Sequence, residues 1–411
     1  MKVKTNRKQN DSITQPSVIW NDLGSFPLSK GLSDKTVAFF LAWVLLCSHF
    51  KGVLGYPLST VIMIIFWPFI LYKLCSRSIR VNSSILALLF FMLYRILMHG
   101  TSITEIAVSF MVLAYAVASA NGMINIRVFL NTILVLSCAN AAVIIFQTIA
   151  YHLAGLHINF IPSAMLTEDI LRQAQLQIST GIGDGIYRPS GFFNEPSHFV
   201  QFALPCLIYL ILSPTVVKRK FIYSIFITLG IVCSTSGSGI GIAFALWSFF
   251  LLRKVFQKNV KRFIWGLVGV IALLLLMFFL YNNVPVFKES VLRIFGMSSS
   301  GSGSLRGRLI GGSNMVDYLS RQQFLFGTGE LLLDTDIYIS GMYRIILTVG
   351  AVGLGLYWLV YLIAAMNLQN VFRYFTILEA LLLIAAGTYT VQSMVYIFIF
   401  AFSGFYIQKN T

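Results

Sequence analysis

Apolar residues in this chain come in long blocks, not in the alternation of a half-buried strand or the one-face periodicity of a water-soluble helix. The run IALLLLMFFL (271–280) contains no polar residue. A helix that crosses a bilayer needs about 20 largely apolar residues, and the blocks approach that size. Strands of a membrane barrel would alternate lipid-facing and lumen-facing side chains; these runs do not. Helices satisfy their own backbone groups in lipid, so the expected fold class is an all-α polytopic membrane protein. Twelve transmembrane helices are expected, at about 36–50, 57–74, 83–98, 104–120, 128–152, 196–213, 221–235, 238–252, 263–281, 338–363, 373–387 and 389–407.

Composition agrees: 57% of the 411 residues are hydrophobic and 11% charged, with a net charge of +16. In a soluble protein that charge would suggest nucleic acid. Here it reads as loop charge, because Lys and Arg concentrate in cytoplasmic loops. With the N-terminus inside, 20 of the 30 basic residues fall in inside segments, and the alternation ends with both termini cytoplasmic. The expected organisation is a cytoplasmic disordered tail (1–35), spans 1–5 (36–152) and a first large periplasmic loop (153–195). Spans 6–9 (196–281), a second large periplasmic loop (282–337) and spans 10–12 (338–407) follow. The tail is too polar for a cleaved signal peptide. A glycine-serine stretch, SSSGSGS (298–304), reads as a flexible tether in the second loop. The five cysteines lie in or beside apolar runs and suggest neither a disulfide framework nor a metal site.

One stretch breaks the apolar pattern. RPSGFFNEPSHF (188–199) holds a cation, a carboxylate and an imidazole at the start of span 6. Asn194 is expected to cap that helix, with Glu195 in its first turn and Pro196 where a missing N–H costs nothing. Glu195 and His198 are three apart, hence on one face. The plain alternative for each residue is structural: a loop clamp for Arg188 and Glu195, a satisfied histidine for His198. An interfacial aromatic belt would account for Tyr187, Phe192 and Phe193, which would otherwise stack on sugar rings.

The stretch, opening a helix after a periplasmic loop in a twelve-span chain, resembles the bacterial O-antigen polymerase (Wzy) family. TSGSG (235–239), the Arg306/Arg308 segment upstream of FGTG (326–329), and VGAVGLGLY (349–357) fit the resemblance. It implies an inner-membrane glycosyltransferase of lipopolysaccharide or other polysaccharide biosynthesis. The enzyme would move a growing glycan from undecaprenyl pyrophosphate to the sugar hydroxyl of the next lipid-linked repeat unit. It also implies membrane-lipid contacts, a chain-length regulator and a flippase as partners, and no cofactor. The related O-antigen ligases typically carry a functional histidine in the second large loop, and 282–337 has none. A lipid-linked sugar flippase or transporter is the rival of a different class; it would need ionisable groups near the midplane, where these spans look nearly free of charge.

The chemistry needs cations on the leaving pyrophosphate and an acceptor for the hydroxyl proton. Arginine binds phosphate oxygens bidentately and stays charged, which points to Arg188, Arg306, Arg308 and Arg344. Glu195 or His198 would take the proton. Asn194, Ser197 and Tyr187 complete the expected substrate contacts, with no metal ligand among them.

Overall fold

The computed structural model describes residues 32–52, 56–99, 103–158, 160–161, 165, 187–213, 219–256, 260–294, 297, 305–329, 339–369, 371–385 and 390–410. Among these the architecture is all helical, with no β-strand and one isolated bridge between Lys51 and Pro57. The middle of the first long loop (166–186) and the 298–304 tether lie outside the described residues.

The helices in chain order are α1 (Leu32–Leu41), α2 (Leu58–Ser76), α3 (Ser83–His99), α4 (Ile103–Ala120), α5 (Ile126–Ala154), α6 (Pro196–Leu212), α7 (Lys220–Cys233) and α8 (Gly237–Val255). They continue with α9 (Val260–Asn283), α10 (Pro285–Ile294), α11 (Leu305–Asp317), α12 (Arg321–Phe326), α13 (Gly341–Asn367), α14 (Val371–Ala385) and α15 (Val391–Asn410). By length and composition, five stretches suffice to cross a membrane: α2, α5, Phe263–Asn283 of α9, α13, and Val391–Gln408 of α15. Shorter apolar helices lie in α3, α4, α6, α7 and α8. This is compatible with an integral membrane protein.

Burial sorts the helices. In α6 every residue except His198 and Gln201 is buried, as a helix apolar all round must be when it forms the middle of a bundle. It packs on α5, α7, α8 and α14. Tyr396 of α15 seals one side, donating to the Phe202 carbonyl at 2.7 Å with its ring stacked on Phe202 at 5.8 Å. At the other extreme, α9 turns Trp265, Leu275, Phe278 and Phe279 outward, which suits hydrocarbon better than water.

Two places depart from the expected spans. The apolar block at 36–50 is not one helix: α1 ends at Leu41, and the chain turns into a short 3-10 segment, Leu46–His49. Continuous apolar sequence does not distinguish a helix from a buried turn. The second long loop is not merely a tether, since it carries α10, α11 and α12.

Buried charge sits at one end of α1 and α2, where Asp34 and Lys73 form an ion pair. Lys73 also donates to the Met123 carbonyl at 3.2 Å, so both charges are partnered as burial demands. A second buried acid, Glu379 of α14, is 2% exposed, and its Oε2 has no hydrogen-bond partner among the described residues. The helix interiors are therefore less free of ionisable groups than the sequence suggests.

A break in α13 fixes the second loop. Gly350 has non-helical backbone (φ 75°, ψ 177°), and the carbonyls just before it lose their helical partners. The FGTG turn supplies replacements. Thr328 donates to Leu347 O through its N–H at 2.7 Å and its hydroxyl at 2.8 Å, and the Gly329 N–H donates to Thr348 O at 3.1 Å. Tyr94 of α3 donates to Val349 O at 3.0 Å. Gly327 and Gly350 both have positive φ, and a Cβ on either would meet facing backbone at 2.3 Å or less. Only glycine permits this approach.

Candidate functional site

The 188–199 stretch is held against α5. Asn140 and Gln147 are buried in that helix seven residues apart, hence on one face. Asn140 Oδ1 accepts from the Phe192 N–H at 2.7 Å, and Gln147 Oε1 accepts from the Gly191 N–H at 3.0 Å. The amide nitrogen of Gln147 donates to the Ile158 carbonyl at 2.9 Å. Tyr187 reaches the same carbonyl through its hydroxyl at 2.9 Å. One glutamine thus holds both described ends of the first long loop against α5. Gly191 makes this possible: its φ is +66°, and a Cβ there would lie 2.2 Å from Asn140 Oδ1.

From this strap the chain enters α6. Glu195, not Asn194, occupies the N-cap, and Pro196 follows in the first turn. The Glu195 carboxylate makes no capping bond to the backbone and accepts instead from Ser197 Oγ at 3.0 Å. Asn194 is half-buried beside it. His198 is half-buried, with its ring stacked on His49 at 4.6 Å and 18°. His49 comes from the 3-10 segment after α1 and is 8% exposed. Its Nε2 is buried without a hydrogen-bond partner among the described residues. Glu195 and His198 both lie within electrostatic reach of His49. The two stacked imidazoles thus share the start of α6 with a carboxylate.

The aromatic residues divide. Phe193 is 1% exposed and packs on Phe199, Phe202 and His49, so its place is in the core and not against a sugar. Tyr187 stands in a cluster with Tyr151 at 4.9 Å and His157 at 5.0 Å. Arg188 follows Tyr187 in the chain and is exposed.

The remaining arginines lie on other elements. Arg344 is exposed in the first turn of α13. Arg306 and Arg308 fall on the backbone of α11, and their side chains lie outside the described residues. α11 packs beside the same first turn, with Gly312 against the Tyr343 ring. The TSGSG turn packs Gly239 on Val200 of α6, and Ser290 of α10 donates to the Thr235 carbonyl at 3.1 Å. The second loop is thereby tied to the neighbourhood of the α6 start. Among the described residues no group of three or more His, Cys, Asp or Glu is placed to hold a metal ion.

Three residues of this site escape sequence reasoning. His49 lies far from His198 in the chain, and no local pattern connects them. Asn140 and Gln147 carried a signal, as amides on one face of an apolar helix where polar side chains usually have a specific partner. No protein-family model matches the chain, and neither does any curated protein or solved structure compared with it.

Proposed function

We propose that this protein is a polymerase of lipid-linked oligosaccharide repeat units, set in a bacterial inner membrane with its site facing the periplasm. The observation that supports this best is the strapped turn. It presents Arg188 to solvent and gathers Glu195, Ser197, His198 and His49 where α6 begins. In this reading twelve spans cross the membrane, both termini are cytoplasmic, and the two long loops meet over the site.

The reaction asks little of the protein beyond charge and position. The acceptor hydroxyl oxygen bonds to the anomeric carbon of the growing glycan as the bond from that carbon to undecaprenyl pyrophosphate breaks. The hydroxyl proton passes to Glu195 or His198. The departing pyrophosphate gathers negative charge, which Arg188 neutralises with help from Arg306, Arg308 or Arg344. Asn194 and Ser197 orient the acceptor and the carboxylate. A chain-length regulator and a flippase are the expected protein partners.

One observation favours a second reading, a lipid-linked sugar flippase or transporter. Glu379 is a buried acid inside the helix bundle, and such groups often mark transport pathways. A single experiment separates the two. Purified protein in nanodiscs is given one lipid-linked repeat unit, and the product is resolved by size. A ladder of longer glycans supports the polymerase. No ladder, together with movement of the unit across the bilayer of sealed proteoliposomes, overturns it in favour of the flippase. The ligase reading predicts transfer to lipid A-core with no ladder.

A further inference from the structure

We propose that the outer end of α5 and the two loop segments strapped to it form an extended subsite for a polyprenyl pyrophosphate sugar. The prenyl chain would lie on a phenylalanine row, the pyrophosphate at Arg188, and the first pyranose on a tyrosine–histidine platform. The inference rests on the proposed function, to which it adds the placement of the donor.

The two ring groups and the order of residues along the strapped segments carry it. Phe146, Phe160 and Phe192 form a row, with centroids 6.2 Å apart at both steps. Phe146 and Phe160 are exposed, although nothing about them is polar. Tyr151, His157 and Tyr187 form a second group, each pair of rings 4.9 to 5.0 Å apart. The two groups are not interchangeable. Phe146 lies five residues before Tyr151 in α5, about 7.5 Å deeper along the helix at 1.5 Å per residue. Tyr151 belongs to the last turn of α5, and His157 lies beyond it.

Both groups are assembled from the same pair of segments. His157 and Phe160 come from the first, Tyr187 and Phe192 from the second, and Gln147 ties the two together. Arg188 stands between Tyr187 and Phe192 in the chain and is exposed. Along the second segment Tyr187, Arg188 and Phe192 follow one another as a ring with a polar edge, a guanidinium and an apolar ring, matching the order sugar, pyrophosphate, isoprenoid. Phenylalanine offers hydrocarbon only contact area. A tyrosine or histidine face packs on the C–H face of a pyranose, while its edge bonds a hydroxyl. The Tyr187 hydroxyl bonds Ile158, which fixes the ring plane before any ligand arrives.

The test is direct binding to the full chain in nanodiscs, with two probes: undecaprenyl pyrophosphate without sugar, and the undecaprenyl-pyrophosphate-linked repeat unit. Tyr187→Ala and His157→Ala are expected to weaken the sugar-bearing lipid by about tenfold, the size of one lost ring contact, and to leave the sugarless lipid unchanged. Phe160→Ala is expected to weaken both probes alike. Tyr187→Phe keeps the ring but loses the bond to Ile158, and is expected to weaken the sugar-bearing lipid by less than Tyr187→Ala does; His157→Ala keeps the subsite testable if Tyr187→Ala fails to fold. Wild-type affinity for the sugar-bearing lipid in Tyr187→Ala and His157→Ala, or equal loss for both lipids, overturns the subsite alone. If the wild-type protein binds neither lipid, the proposed function falls as well.

Discussion

Replacing Gly191 by alanine tests the strap on which the site is built. Two separate costs follow from the geometry. The backbone at φ +66° is left-handed, which costs an L-residue about 1–2 kcal/mol. The new Cβ would also lie 2.2 to 2.8 Å from three atoms of the Asn140 side chain, which must swing away. That motion breaks the 2.7 Å bond to the Phe192 N–H and leaves a polar group short of a partner, at a further cost of about 1–3 kcal/mol. The sum is about 2–5 kcal/mol. Asn140→Ala removes the obstruction, so in that background Gly191→Ala should cost only the backbone share. The double-mutant cycle, read from denaturation midpoints in detergent, should return a coupling of about 1–3 kcal/mol. Strict additivity, or a Gly191→Ala protein as stable as wild type, would refute the strap.

Gly350→Ala should destabilise by about 2 kcal/mol or more and expose the FGTG segment to proteolysis, whereas Gly355→Ala, with open space at its Cβ, should do neither. Arg188→Ala should lower polymerisation by one hundredfold or more, and Arg188→Lys should recover only part of it because a point charge replaces a fork. Full activity in Arg188→Ala would remove that residue from the site.

Much of the fold was legible because apolar blocks and helices answer to the same requirement, a backbone that satisfies itself away from water. The start of α6 could be read from Pro196 for a local reason, the tolerance of proline where no N–H is needed. FGTG and the glycines after Val349 stood out as motifs, but not their pairing, since a helix break appears only when the partner of each carbonyl is known. The N-cap was misassigned by one residue because Asn194 and Glu195 are both plausible caps, and tertiary packing chose between them. The helices of the second loop were hidden by their glycines and polar residues, in particular LRGRLIGGSNMVD, whose stability comes from packing such as Gly312 on Tyr343. His49 was beyond reach altogether. Its role depends on a turn that brings the first segment back over α6.

The break at Gly350 has a consequence for how the chain is made. Its replacement donors lie only 19 residues upstream of the carbonyls they serve, so they leave the ribosome first and close a short, inexpensive loop. The first half of α13 therefore meets its own cap as it emerges, before exposed carbonyls have time in an apolar environment. A long insertion between residues 329 and 341 would separate cap from helix during synthesis. It should lower the yield of inserted protein without altering any residue of the site.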